Sequence, residues 1–351
     1  MTSEFEKLPA THESRPVYIS YIFFAVTIIL VGSLHLATPF LTVLFCYFAI
    51  RKLHFMKSKA LALLLFFVVM GLAFSGFVYF VKRALHDLPE IAAKSIPMVM
   101  NWAKQNSIEL PFDDATELKA LVTERIRGSV GQLGNFAKIA TKEFVFLLIG
   151  IVVACSLFLN PAMDLDRAGH RVRNNLYTLC CDHIVLRFKS FYRSFETVMG
   201  AQIIIALINT GVTAVFTMIV SLPHAPIVIG VTFFCGLLPI VGNIISNCVV
   251  TGIAFTISPQ LAITALIFLI VLHKLEYFLN SQIIGTRIKN PIWMTLLGLI
   301  IAERLMGVPG IILAPVILHF IKVESSQVEV REQPRKKVVM ALVEEQPSQD
   351  I

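Results

Sequence analysis

Three polar residues interrupt an apolar stretch in LIVLHKLEYFLN: His273, Glu276 and Asn280, spaced three and four residues apart. On a helix these steps bring all three to one face, and Lys274 points elsewhere, free to snorkel to the headgroups. Ionisable groups inside a membrane are costly enough to face a cavity or a partner. Glu276 is therefore a candidate proton or cation site, with His273 modulating its charge. The alternative is structural, an ion pair from Glu276 to Arg287 or Lys289 that ties down the helix end.

A second polar group lies in GLLPIVGNIISN, where Asn243, Ser246 and Asn247 follow Pro239 and Gly242. These side chains can hydrogen-bond a polyhydroxylated solute or coordinate sodium, and a half-helix N-terminus would favour an anionic one. They can equally satisfy carbonyls left open by the proline. A third group, Glu303 and Arg304, precedes Pro309 and Gly310. It suits gating or ligand contact, or an ion pair that fixes the turn. On the preceding helix Gln202 and Asn209 read as packing amides, with a lining role as the alternative.

Enzyme chemistry finds less support. The chain has no G-x-S-x-G, H-E-x-x-H, Walker A or dinucleotide fingerprint, and no cofactor is expected. Asp164 and Asp166, with His170, could hold magnesium in a membrane-bound enzyme, but an isolated D-x-D after Pro161 reads as a solvated helix start. Cys180 and Cys181 have no second ligand cluster to make a metal site. Without a nucleotide-hydrolysis motif, transport energy must come from an ion gradient or from the solute's own gradient.

The elements that position these groups are membrane helices. Of 351 residues 56% are hydrophobic and 15% charged, with a mean hydropathy of +0.76, whereas soluble domains are about 25% charged. The 30 Lys and Arg exceed the 23 Asp and Glu. No basic patch interleaved with aromatics suggests nucleic acid, so the surplus fits cytoplasmic loops. Residues 1–16 form a cytoplasmic segment; 17–81 hold three transmembrane helices; 82–143 are an extracytoplasmic helical insert with an amphipathic helix from Asp114. Residues 144–159 cross again, 160–197 form a cytoplasmic amphipathic connection, 198–321 a transport core, and 322–351 a disordered cytoplasmic tail. The short loop from Arg51 to Lys59 carries four Lys and Arg and no acid, which places it and both termini in the cytoplasm.

Within the core, two apolar runs are broken. Pro226 to Leu238 would make a helix of about 20 Å, short of a ~30 Å hydrocarbon layer, before Pro239 and Gly242 interrupt it. The run 291–321 repeats the pattern, with Glu303 to Gly310 as the interruption. Two opposed hairpins, 226–257 and 291–321, follow, joined by one crossing helix, Leu261 to Leu279. Paired Gly/Pro-interrupted segments point to a transporter's substrate site. The expected fold is an all-α polytopic membrane protein with about six spanning helices plus two interrupted re-entrant helical hairpins.

LLPIVGNII resembles the P-x-x-G motif of the autoinducer-2 exporter family of bacterial inner-membrane proteins. TPFLTVLFCYFAIRKL, LEYFLNSQIIGTRIKNP and LLGLIIAERLMGVPGIILAPVILHFIK are also similar to that family, so the resemblance runs from about residue 17 to 322 and is weak in the insert. The family's His-Pro before the last hairpin is Asn290-Pro291 here. The resemblance implies a homo-oligomeric transporter, in contact with membrane lipids, that exports a small polar metabolite or signal such as autoinducer-2. Some relatives look like sodium/proton antiporters, so antiport on the same scaffold is the alternative, with sodium or protons as the coupling partner. A non-transporting scaffold that binds through its insert is a further one.

Overall fold

The computed structural model describes residues 14–56, 58–107, 133–172, 175–238, 241–283 and 291–327, and among these no strand occurs. The helices are α1 (Ser14–Ser33), α2 (Ala37–Leu53), α3 (Lys59–Gln105), α4 (Leu133–Leu159), α5 (Leu176–Ile219), α6 (Ala225–Gly236), α7 (Val241–Phe255), α8 (Pro259–Ile283), α9 (Ile292–Met306) and α10 (Val308–Ser326). The expected amphipathic helix from Asp114 and the loop at Arg287 and Lys289 lie outside the described residues.

Among the described residues, six helices are long and apolar enough to cross a membrane: α1, α3, α4, α5, α8 and α10. The number agrees with the hydropathy pattern, and the membership differs. At 17 residues α2 is short, and α10, expected to be a short arm from Ile311 to Ile321, runs 19 residues. Gly307, at φ +64°, permits a single sharp break, so α9 continues through Glu303 and Arg304 to Met306 and α10 starts at once. Helices α6, α7 and α9, of 12, 15 and 15 residues, are about 18 to 23 Å long and cannot cross a ~30 Å layer alone.

Two helices run through boundaries drawn from hydropathy. Instead of ending near Val81, α3 continues for 47 residues, about 70 Å. The apolar signal stops, but Ala84, Ile91, Met100 and Ala103 are buried at helical intervals, and Trp102 meets Phe255 of α7 with ring centroids 6.0 Å apart. Likewise α5 joins the basic connection to the next apolar run as one 44-residue helix, started by Asn175, whose side chain accepts from the Thr178 amide at 2.9 Å.

This α5 is the spine of the molecule. Its first half packs Phe191, Phe195 and Met199 against Phe24 of α1, Leu44 of α2 and Phe320 of α10. The second half lies against α6 and α8. A separate core joins α3, α6, α7 and α8 through Ile91, Ile227, Val228, Val250, Ile253, Ala265 and Leu269. Outward faces carry exposed Leu, Ile and Phe throughout. In lipid such side chains gain nothing by leaving their surroundings, so helix association depends on close packing and on polar contacts between helices.

The tie at the basic end of α5 is polar. Arg187 pairs with Glu324 of α10, Tyr21 of α1 donates to the same carboxylate at 2.9 Å, and the guanidinium lies 4.3 Å from the Tyr21 ring centre. On the same half of α5, Lys52 of α2 pairs with Glu196 at 2.8 Å. The start of α1 and the end of α10 thus meet at the end of the molecule that holds the Arg51 loop.

Candidate functional site

Both interruptions close in the same way. The second arm starts with a glycine seated on a carbonyl of the first: a Cβ on Gly242 would collide with the Cys235 carbonyl, and one on Gly310 with that of Ala302. Only glycine allows backbones to approach so closely. Pro239 lies outside the described residues, between the end of α6 and the start of α7. Gln202 of α5 donates to the Gly236 carbonyl at 2.7 Å. It thereby satisfies one of the acceptors that a helix end leaves open. Pro309, in the first turn of α10, has no amide hydrogen to leave unpaired.

The closed turn brings α7 against α8, antiparallel, so residues four apart on one helix meet residues three apart on the other. Asn243 donates its amide to both oxygens of Glu276, each at 3.1 Å. One turn along, the Asn247 amide nitrogen lies 3.5 Å from Nε2 of His273. Nδ1 of His273 is 2.9 Å from the Leu269 carbonyl. A carbonyl can only accept, so Nδ1 carries the proton and Nε2 is left to accept from Asn247. From the third side Asn209 of α5 donates to Glu276 at 3.1 Å.

Glu276 therefore receives three hydrogen bonds from two amides and no ion pair from any described Lys or Arg. The pairing with Arg287 or Lys289 lies outside the described residues. Two further oxygens in this region, Oδ1 of the buried Asn209 and Oγ1 of the buried Thr213, have no partner among the described residues. Unpaired buried acceptors are costly and rare. A carboxylate held by neutral donors, next to open acceptors, is suited to exchanging a proton or small cation.

The sequence-derived candidates separate here. Asn243, Asn247, His273 and Glu276 come together as the α7–α8 seam. Ser246 turns the other way, 3.3 Å from the Thr232 hydroxyl of α6, and is buried between the two arms. Asn280 lies on α8, its side chain outside those described. Glu303 and Arg304 are exposed on the last turn of α9, beside the break at Gly307, and neither pairs with a described charge. Of the two readings of this pair, an ion pair fixing the turn is absent among the described residues, where Gly307 and Gly310 shape the turn.

Asn209, read from sequence as a packing amide, is a direct partner of Glu276. Its signal was present: Gln202, Asn209 and Thr213 are seven and four residues apart, one polar stripe on the part of α5 after Glu196, which carries no charge.

Asp164 serves the fold. One oxygen faces Nε2 of His170 at 3.1 Å and the other accepts from the Thr178 hydroxyl at 3.0 Å. This binds the loop before α5 to its first turn. The Asp166 carboxylate lies instead against Gly169.

The comparisons with known proteins agree with a transport architecture. A Bacillus subtilis (strain 168) protein named "Putative transport protein YdbI" is 32% identical over 133 residues, which cover 37% of this chain and 38% of that one. The chain thus aligns with well under half the length of that relative. No solved structure matches it. The family described as AI-2E family transporter matches residues 18–328, which take in every helix of the seam and both broken hairpins. The chain belongs to the AI-2E transporter family.

Proposed function

We propose that this protein is a secondary transporter of the bacterial inner membrane that exports a small polar metabolite or signal such as autoinducer-2, with Glu276 as its coupling site. The observation that carries the proposal is the carboxylate itself, held by Asn209 and Asn243 with no cationic partner among the described residues. Moving an uncompensated charge through a medium of low dielectric is unfavourable. Glu276 must therefore take up a proton or cation when its surroundings dry, and can release it when they open to water. Asn243 rides on the hairpin and Asn209 on the spine, so separating α7 from α8 exposes the carboxylate. Occupancy and hairpin position are then linked.

In this scheme both hairpins turn back within the bilayer, α6–α7 from outside and α9–α10 from the cytoplasm, with both termini cytoplasmic. Non-helical backbone survives at that depth only inside protein or along a cavity, which the Gln202 cap and the two glycine contacts fit. The functional unit is a homo-oligomer, because single-file lipid-facing helices such as α3 leave long apolar faces available to a second copy.

The test uses reconstituted vesicles loaded with autoinducer-2, under an imposed sodium or pH gradient. Gradient-dependent release that Glu276→Gln uncouples is the expected result. Ion exchange without release of the signal would replace the exporter with a sodium/proton antiporter. Release by the variant with unchanged gradient dependence would remove Glu276 from the coupling.

A further inference from the structure

From Glu196 to His273 the chain contains one residue other than cysteine that can change charge in water, His224. It stands where the first hairpin begins. The chain leaves α5 through Ser221 and enters α6 from His224, both with positive φ, 51° and 56°. Such a backbone is uncommon outside glycine and persists when its surroundings hold it.

What holds it is Asp87. Six residues beyond the apolar part of α3, about 9 Å along the helix, the Asp87 side chain is only 2% exposed. One oxygen accepts from Nδ1 of His224 at 2.8 Å and from Nε of Arg83 at 2.8 Å. The other faces Nδ1 of His86 at 2.6 Å. Below this cluster Ile91 of α3 and Leu222 of the turn share one core. The contact joins residues 137 apart in sequence and fastens the long shaft of α3 to the root of the first hairpin.

We propose that Asp87 and His224 form a proton-responsive latch, tight when His224 is an imidazolium and looser when it is neutral, which sets how freely the α6–α7 hairpin moves. Neutral imidazole still donates from Nδ1, but only the imidazolium adds the attraction between opposite charges to that hydrogen bond. The His224 side chain is 20% exposed, so protons reach it from solution. The hydrogen bond from His224, then that from His86, hold the Asp87 carboxyl below its usual range. The carboxylate thus stays charged at mildly acidic as well as mildly alkaline pH.

The remaining charges leave the switch intact. Arg83 is a permanent cation and cannot titrate in this range. Glu90 also lies within electrostatic reach of His224, but its hydrogen bond goes to Lys94 at 2.7 Å, whose cation offsets its charge. His86 is largely exposed and sits on the same helix as Asp87, so its contact with Asp87 joins no second element. The helices packed on this part of α3 bring only Cys235 from α6 and Cys248 from α7, and α8 brings no ionisable side chain before His273. The latch is independent of Glu276, which lies on α8.

Hydrogen–deuterium exchange of the full chain in lipid nanodiscs tests it, with wild type and His224→Gln compared at each pH so that intrinsic exchange cancels. Protection of the stretch 221–231 should exceed that of the variant by about tenfold more at pH 5.5 than at pH 8. Asp87→Asn should remove the same pH dependence, and His86→Gln should keep most of it. A wild-type to variant ratio that is constant across pH would reduce the contact to a structural tie and overturn the latch. So would a pH dependence that survives in Asp87→Asn. Vesicle transport by His224→Gln, still responsive to Glu276→Gln, separates this outcome from failure of the coupling proposal.

Discussion

Adding one methyl group at Gly242 tests how the first hairpin holds the seam. In Gly242→Ala the new Cβ would overlap the backbone carbonyl of Cys235. Neither side is a flexible side chain, so α7 must retreat by more than about 1 Å to reach ordinary contact distances. Overpacking of this kind costs about 1–3 kcal/mol. The retreat also takes Asn243 away from Glu276, and hydrogen bonds to a charged group are worth about 1.5–3 kcal/mol. A total loss of about 2.5–6 kcal/mol is expected, a large fraction of the 5–15 kcal/mol typical of folded proteins. The same helix supplies a control. Gly252 has nothing within 4 Å of its added Cβ, so Gly252→Ala should be neutral or gain up to about 1 kcal/mol from helix propensity. Thermal unfolding in detergent, with vesicle transport alongside, reads both. If Gly242→Ala unfolds and transports like Gly252→Ala, close approach at Gly242 does not position the seam.

Asn243→Ala, which removes both amide bonds from that side of Glu276, should slow transport about tenfold or more, and Asn247→Ala, whose contact is longer, should slow it less. Replacing Arg187 by Met leaves the buried Glu324 with the Tyr21 hydroxyl but without its cation, at a cost of about 3–5 kcal/mol; adding Glu324→Gln should recover much of that in a thermal unfolding cycle. For Asp164, burial pushes the carboxyl up, but the hydrogen bonds from Thr178 and His170 outweigh it and hold it below its usual range. A depressed folded-state value contributes stability above the unfolded carboxylate value of about 3.9, lost as pH falls through the folded one. Asp164→Asn should therefore be less stable than wild type at pH 7, with the difference closing as pH drops below about 4, as followed by unfolding at stepped pH. Gln202→Leu removes the donor at the Gly236 carbonyl and should increase amide exchange at the α6 end without changing that of α10.

The helical class, the number of candidate spans and both interruptions were legible because each rests on local physics. Apolar length, proline and glycine act within a few residues. His273 and Glu276 could be placed on one face by spacing alone. So could Asn243 and Asn247, and even their pairing follows from packing two such faces antiparallel. Asn209 was harder to assign, since an amide on an apolar helix looks alike whether it packs a neighbour or holds a carboxylate. Glu303 and Arg304 kept two readings, because adjacent opposite charges suggest an ion pair, whereas consecutive residues on a helix point about 100° apart and are free to serve something else.

Helix ends were less legible than helix middles. Hydropathy falls at Val81 and rises at Val198, but a helix ends where its backbone bonds end, and neither α3 nor α5 stops at a change of solvent. What the sequence determined by itself is that the chain is helical, lies in a membrane and is broken twice in its second half. Only the tertiary structure decided that the first break sets Asn243 and Asn247 against Glu276 and His273, and that Asp87 and His224, 137 residues apart, meet at its root. Periodicity acts along one helix, whereas contacts between helices depend on which carbonyl a glycine can reach and which face then turns inward.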